Sequence, residues 1–135
     1  MSKDLHPVYS RYAALVVDDH RTMLDIMHSL MLQIGFHDVE IAQDGVAALQ
    51  KLNSKPFDLV ISDWNMPNMD GLALLKRVRA STDSKIKAIT FVLVTGEAKP
   101  VNILAAKQAG VNNYIIKPIS LATLKQKLDK TLGIA

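Results

Sequence analysis

The sequence predicts a single α/β domain built on a parallel sheet. Short β-like runs alternate with helically spaced apolar positions five times along the chain, which implies consecutive βαβ units. The runs read as the third, fourth and fifth strands are apolar throughout, as strands covered on both faces must be. Polar residues then follow directly on four of the runs. Asp18-Asp19 follow Ala13–Val17, Asp63 follows Leu59-Val60-Ile61-Ser62, Thr95 follows Phe91-Val92-Leu93-Val94, and Lys117 follows Tyr114-Ile115-Ile116. In one parallel sheet all of these gather at the carboxyl edge, where open α/β sheets bind ligands.

Each element has its own signal. After the first strand, Met23, Met27, Leu30, Met31 and Ile34 recur at helical spacing and Gly35 ends the helix. Val39–Ala42 reads as the second strand, and a helix from about Gly45 to Leu52 stops before Pro56. Phe57–Ser62 is the third strand and Asn65–Gly71 a long polar turn. Leu72, Leu75 and Val78 open the third helix, and the polar stretch from Ser81 to Lys87 separates it from the fourth strand. Pro100 suits the first turn of a fourth helix, closed by Gly110. Asn113–Ile116 is the fifth strand. Leu121, Leu124, Leu128 and Leu132 stripe a terminal helix behind Ser120, a good N-cap. Residues 1–12 lie outside the pattern and are expected as a flexible or loosely docked arm, with the domain proper at 13–135.

A chain of 135 residues is long enough to bury one core without staples. No apolar stretch approaches the roughly 18 residues needed to span a bilayer, and the first seven residues hold no apolar segment of a secretory signal. Ser2 stands where myristoylation requires glycine. Without cysteine there is no disulfide framework, thiolate metal site or thiol nucleophile. These features fit a cytoplasmic protein without a membrane partner. The net charge of +3 is unevenly spread: residues 1–63 hold nine acids and five bases, residues 64–135 four acids and eleven bases. A solvated lysine-bearing surface accounts for this, and so does a docking face for an acidic partner. Nucleic acid fits poorly, because the bases are scattered among apolar helical positions and no helix-turn-helix, zinc-finger or aromatic-basic pattern accompanies them.

The strand-end residues point to phosphoryl chemistry. Magnesium takes oxygen ligands in near-octahedral geometry and is held by one or two carboxylates, leaving room for substrate phosphate. Asp18, Asp19 and Asp63 supply such a nest, and three crowded carboxylates repel one another unless a cation joins them. Taken singly, each residue has an ordinary explanation. Asp18-Asp19 would cap the first helix, Asp63 would begin a turn, Thr95 is a favoured strand residue, and Lys117 would snorkel from a strand end. All of these holding at the same sheet edge is far less expected than a site.

These residues resemble a response-regulator receiver domain, in its single-domain chemotaxis branch. The run Asp63-Trp64-Asn65-Met66-Pro67-Asn68-Met69-Asp70-Gly71 is similar to the family's phosphorylation loop. Thr95-Gly96-Glu97-Ala98-Lys99 and Asn113-Tyr114-Ile115-Ile116-Lys117-Pro118 are similar as well, and the likeness covers about residues 12–133. The resemblance implies a doubly wound, flavodoxin-like (βα)5 fold with strand order 2-1-3-4-5. It implies that Asp63 accepts a phosphoryl group from a histidine kinase, with magnesium held by Asp19, Asp63 and the backbone carbonyl of Asn65, and with Asp18 acting largely through water. Lys117 would neutralise the transferring group, Thr95 would move to bind it, and Tyr114 would turn inward and alter the face formed by the fourth helix, fifth strand and terminal helix. Asn65 and Glu97 would tune autodephosphorylation, and Lys117-Pro118 would be cis. The chain would be a phosphoacceptor switch rather than an enzyme acting on a separate substrate. It would be monomeric, served by a chemotaxis kinase and by a phosphatase, and directed at a flagellar motor switch protein. Lys99, Lys107, Lys125, Lys127 and Lys130 fall on that output face and suit an acidic or amphipathic target segment.

Three positions depart from the chemotaxis pattern. Ile119 follows the Lys-Pro pair where an aromatic is usual, and Pro100 replaces a lysine used in partner contacts. His20 follows the acid pair where an aromatic is usual, and is expected as an exposed first-turn residue without a ligand role. A phosphorelay intermediate or phosphate sink is the nearest alternative, separable by transfer to a histidine phosphotransfer protein. A haloacid-dehalogenase-type phosphatase would need an acid where Asn65 stands and space for a cap domain. A flavin-binding protein would need a phosphate loop that does not follow Val17.

Overall fold

The computed structural model describes residues 7–134. Five strands form one parallel sheet: β1 (Ala13–Val17), β2 (Asp38–Ala42), β3 (Leu59–Asp63), β4 (Thr90–Thr95) and β5 (Asn113–Ile116), in the order β2-β1-β3-β4-β5. Helices α1 (Arg21–Ile34), α2 (Gly45–Ser54), α3 (Gly71–Arg79), α4 (Ser84–Lys87), α5 (Pro100–Gln108) and α6 (Leu121–Leu132) connect and cover them. None is long and apolar enough to cross a membrane among the described residues.

The period-two alternation of each strand divides the core in two. Ala14, Val16, Leu59, Ile61, Val92 and Val94 face the layer of α1 and α6. Leu15, Val17, Val60, Phe91 and Leu93 face that of α2, α3 and α5. Because β1, β3 and β4 are central and covered on both sides, their apolar runs are unbroken; β5, expected to be covered likewise, is instead an edge strand with Ile116 exposed. Local signals bound the helices: Ser120 and Gly35 act as expected, and Asp44 and Asp70 add caps the sequence reading did not name. Asp44 and Asp70 accept the Ala47 and Ala73 amides at the starts of α2 and α3, at 2.7 and 2.8 Å, and Ser120 accepts the Thr123 amide at the start of α6. Gly35, at φ 128°, closes α1 by donating its amide to Met31 and Leu32.

Two segments differ from the sequence-based expectation. The polar stretch 81–87 contains the single-turn helix α4, which Asp83 caps through the amides of Lys85 and Ile86. The first six residues of the expected arm lie outside the described residues. The rest of it is not loose: Pro7–Arg11 form a 3-10 turn whose Tyr9 is wholly buried. The Tyr9 ring packs 5.3 Å from that of Phe36, and its hydroxyl donates to Asp129 of α6, which also pairs with Lys125 at 2.8 Å.

The register sets the functional edge. Val17 is aligned with Ala42 and Ser62, Asp63 with Val94, and Thr95 with Ile116. The five strands therefore end within two residues of one another. Backbone bonds from Asp18 to Ala42, Trp64 to Val94 and Lys117 to Thr95 carry the ladder one residue further, into the loops.

Candidate functional site

The acids do not cap α1. Its N-cap is His20, which makes no side-chain capping bond, while Asp18 Oδ1 accepts the His20 amide at 2.9 Å and folds the loop back. This removes the capping explanation for the pair and leaves both carboxylates at the sheet edge. Asp63 is the last residue of β3, with its side chain only 3% exposed. Asp18, Asp19, His20 and Asp63 each offer one ligand atom, and these atoms lie within 4.8 Å of one another.

The loop after Asp63 is fixed by backbone demands. Asn68 occupies the left-handed region at φ 69°, and the Gly71 amide returns to the Trp64 carbonyl at 2.8 Å. A side chain on Gly71 would collide with the Asp63 carbonyl and lie 2.7 Å from Leu93 Cδ2, so only glycine lets α3 start against β3. Asn65 lies exposed at the mouth of the site. With Trp64, Thr95, Gly96, Glu97, Lys99 and Asn102 it lines an open polar cleft of about 350 Å³ beside Asp63.

Lys117, just past β5, reaches the nest from the opposite side, with its Nζ 3.0 Å from Asp63 Oδ1. The Lys117-Pro118 peptide is cis. Burial holds the Asp63 carboxyl above the ordinary carboxylate range; the charges of Asp18 and Asp19 push the same way, and Lys117 opposes them. Thr95 is buried, and its hydroxyl is engaged within its own loop, donating to the Glu97 carbonyl at 2.9 Å. Glu97 itself is exposed and pairs with Lys99 at 3.3 Å. Tyr114 is half-buried on β5, with Lys127 Nζ 5.1 Å from its ring centre. The structure thus gathers Asp18, Asp19, Asp63 and Lys117. Thr95, Asn65 and Glu97 lie along the adjoining cleft, and Tyr114 faces α6.

The residues suit a divalent cation. Asp63 Oδ1 and Asp19 Oδ1 are buried and make no well-directed hydrogen bond, although Lys117 Nζ lies 3.0 Å from the former and His20 Nδ1 3.2 Å from the latter. Two oxyanions left in this way cost free energy that a cation would recover. The sequence reading missed that His20 joins the nest. Its ring is 66% exposed, yet Nδ1 lies 3.2 Å from Oδ1 of both Asp18 and Asp19. The only sequence signal was its position directly after the acid pair.

A flavodoxin-like sheet of order 2-1-3-4-5, carrying three aspartates, a threonine and a lysine at its carboxyl edge, defines a class. The chain belongs to the response regulator receiver domain family, which matches residues 14–129. It is similar to the chemotaxis protein CheY-3 of Vibrio cholerae serotype O1, with 48% identity over 86% of this chain and 88% of that protein. It is also similar to CheY of Pseudomonas aeruginosa, with 45% identity over 86% of this chain and 92% of that one. Among solved structures, CheY4 of Vibrio cholerae matches with a TM-score of 0.81 and 32% identity, covering 89% of this chain and 98% of its own. The receiver domain of the Pseudomonas aeruginosa sensor histidine kinase PA1611, solved with a magnesium ion in its active-site cleft, shares the fold at a TM-score of 0.79 and 23% identity, covering 90% of this chain and 98% of its own. The chain is therefore a CheY-like receiver, a phosphoacceptor switch rather than a conventional enzyme.

Proposed function

We propose that Asp63 accepts a phosphoryl group from the phosphohistidine of a chemotaxis-type kinase in the cytoplasm, and that the modified protein binds a flagellar motor switch. One observation carries the reading: a nearly buried carboxylate stands at a strand end, 3.0 Å from Lys117 and beside two further acids. In the transfer, an Asp63 oxygen attacks phosphorus and the bond from phosphorus to the kinase's histidine nitrogen breaks. The electron pair stays on that nitrogen, which takes up a proton from solvent, and an acyl phosphate remains on Asp63. Asp19, Asp63 and the Asn65 carbonyl would hold magnesium, with Asp18 acting through water; when bound, the ion supplies positive charge opposite the transferring oxygens.

The other residues act without new covalent chemistry. Lys117 holds its ammonium beside the attacking oxygen, where it would stand close to the phosphoryl oxygens that carry the charge of the transition state. Burial that disfavours the free carboxylate also favours its conversion to a group whose charge lies farther out, toward Lys117 and the cleft. Thr95 would release the Glu97 carbonyl and donate to a phosphoryl oxygen, drawing the 96–99 loop inward. Tyr114 would turn into the space this vacates, and Asn65 and Glu97, which flank the cleft, would set the access of hydrolytic water.

The output surface suits an amphipathic acidic segment. Val101, Leu104, Ile116 and Leu121 are exposed, and the same region of chain carries Lys107 on α5 and Lys127 and Lys130 on α6, while Lys99 is paired with Glu97 and Lys125 with Asp129. Apolar anchors with a cationic rim fit a helix of opposite charge. The test is intact mass after treatment with a small-molecule phosphodonor and magnesium, beside an Asp63→Asn control. A magnesium-dependent gain of one phosphoryl group, absent from the control, is expected. No gain in folded, magnesium-loaded protein would refute the reading.

A further inference from the structure

We propose that His20 makes the acidic nest a mixed nitrogen–oxygen site that binds a late first-row divalent cation of the Ni2+ or Zn2+ class, with Nδ1 as a ligand. The inference deepens the metal site of the proposed function and rests on that reading. Magnesium is served by oxygen alone, whereas imidazole favours nickel, copper and zinc. This chain places an imidazole where its neighbours in the nest are all carboxylates.

The spacing supports coordination. Nδ1 lies 3.2 Å from one oxygen of Asp18 and one of Asp19. Ligands about 2.1 Å from a common metal sit roughly 3.0 Å apart at adjacent octahedral positions and about 3.4 Å apart in a tetrahedron. The observed separation falls between the two. Asp63 gives the second sign of a ligand: its carboxylate is 3% exposed, and its Oδ1, which makes no well-directed hydrogen bond, has only the Lys117 ammonium at 3.0 Å to offset its charge. In the metal-free nest Nδ1–H can donate to Asp18 at 3.2 Å; a metal would take the place of that proton, and the exposed Nε2 could then carry the imidazole proton toward water. The main chain fixes this orientation, because the His20 amide is bonded to Asp18 at 2.9 Å and the residue sits in extended conformation before α1.

The experiment is calorimetric titration of the metal-stripped full chain with Ni2+ and, separately, with Mg2+. It compares the wild type, His20→Asn, and His37→Asn as a control for exposed histidine elsewhere. Fluorescence of the single tryptophan, Trp64, beside Asp63, reports whether each ion enters the nest. The expected result is that His20→Asn lowers Ni2+ affinity about tenfold or more and leaves Mg2+ affinity within about twofold, with His37→Asn unchanged for both. Equal loss of both ions, or no change in Ni2+ affinity, overturns the ligand role. Mg2+ binding in every variant with Ni2+ indifferent to His20 refutes this inference and leaves the magnesium reading standing. His20-dependent Ni2+ binding without any Mg2+ binding supports the inference and refutes the magnesium reading.

Discussion

Replacing Asp63 by asparagine should stabilise the metal-free protein, because the site holds its central carboxylate against the preference of its surroundings. At an effective dielectric of about 20, Lys117 at 3.0 Å supplies roughly 5–6 kcal/mol of attraction, while each acid within 4.8 Å supplies at least about 3 kcal/mol of repulsion. The two nearly cancel, and the burial of a charge with an unsatisfied oxygen is left over. Asparagine removes that charge in the same shape, and Lys117, 30% exposed, can turn its ammonium toward water. The expected gain is on the order of 1–2 kcal/mol, or roughly 3–8 °C in Tm. The assay is urea unfolding in chelator across pH. A carboxyl whose folded pKa is raised binds more protons in the native state than in the unfolded one. Asp63 therefore costs the wild type stability as pH rises from the ordinary carboxylate range through its raised folded value, and the cost persists above it. The difference between the two proteins should widen across that window and then level off. Saturating magnesium should add about 2.7 kcal/mol to the wild type at one hundred times its Kd, and less to the variant. A variant no more stable than the wild type, or a difference that ignores pH, would refute the electrostatic account.

Other consequences are separately measurable. Gly71→Ala should lose about 2–4 kcal/mol in urea unfolding, because its methyl meets backbone at Asp63 and Trp64 rather than a side chain that can yield. Tyr9→Ala should lose about 3–5 kcal/mol, since a wholly buried ring leaves a cavity beside Phe36; a loss under about 1 kcal/mol would restore the loose arm. Arg79 binds the carbonyls of Gly110, Lys87 and Ile89 and the Asn112 side chain at 2.7–3.0 Å, so Arg79→Lys should fail to rescue Arg79→Ala in thermal unfolding, because an ammonium cannot reproduce the fork. If the proposed motor-switch target is right, charge reversal at Lys107, Lys127 and Lys130 should weaken its binding to the phosphorylated protein, most at low salt, and undiminished binding in a pull-down would contradict an acidic target.

The sequence carried the fold because each strand announces itself within a few residues. The unbroken apolar runs of β1, β3 and β4 come from burial on two faces, and the caps at Asp44, Asp70 and Ser120 are local. The site was legible for the same reason, since strand ends in a parallel sheet share one edge whatever the loops do. The missing parts depend on distant or conformational partners. Tyr9 becomes core through partners such as Asp129 and Phe36, and the first of these is 120 residues away. The turn of α4 is one Asp83 cap deep, too short to show a period. His20 enters the nest through the backbone angles at a helix start, which composition does not encode.

The way the site is wired to the surface follows from what α5 lacks. Among its residues only Ala106 is buried, and Val101 and Leu104 project into solvent, so little packing holds the helix to the sheet. The β4 strand beneath it is buried along nearly its whole length. A change at Asp63 therefore meets a rigid strand and a lightly held helix, joined by the loop that Thr95 pins through the Glu97 carbonyl. Releasing that one hydroxyl costs about a single hydrogen bond, and a new charge-assisted bond to a phosphoryl oxygen is of at least equal strength. On the proposed function, this exchange would move the loop from one partner to a stronger one once Asp63 carries phosphoryl charge, and a local charge would so shift a population. Lys117 completes the circuit: its amide is bonded to the Thr95 carbonyl while its ammonium touches Asp63, so the end of β5 shares both the reacting group and the pinned loop.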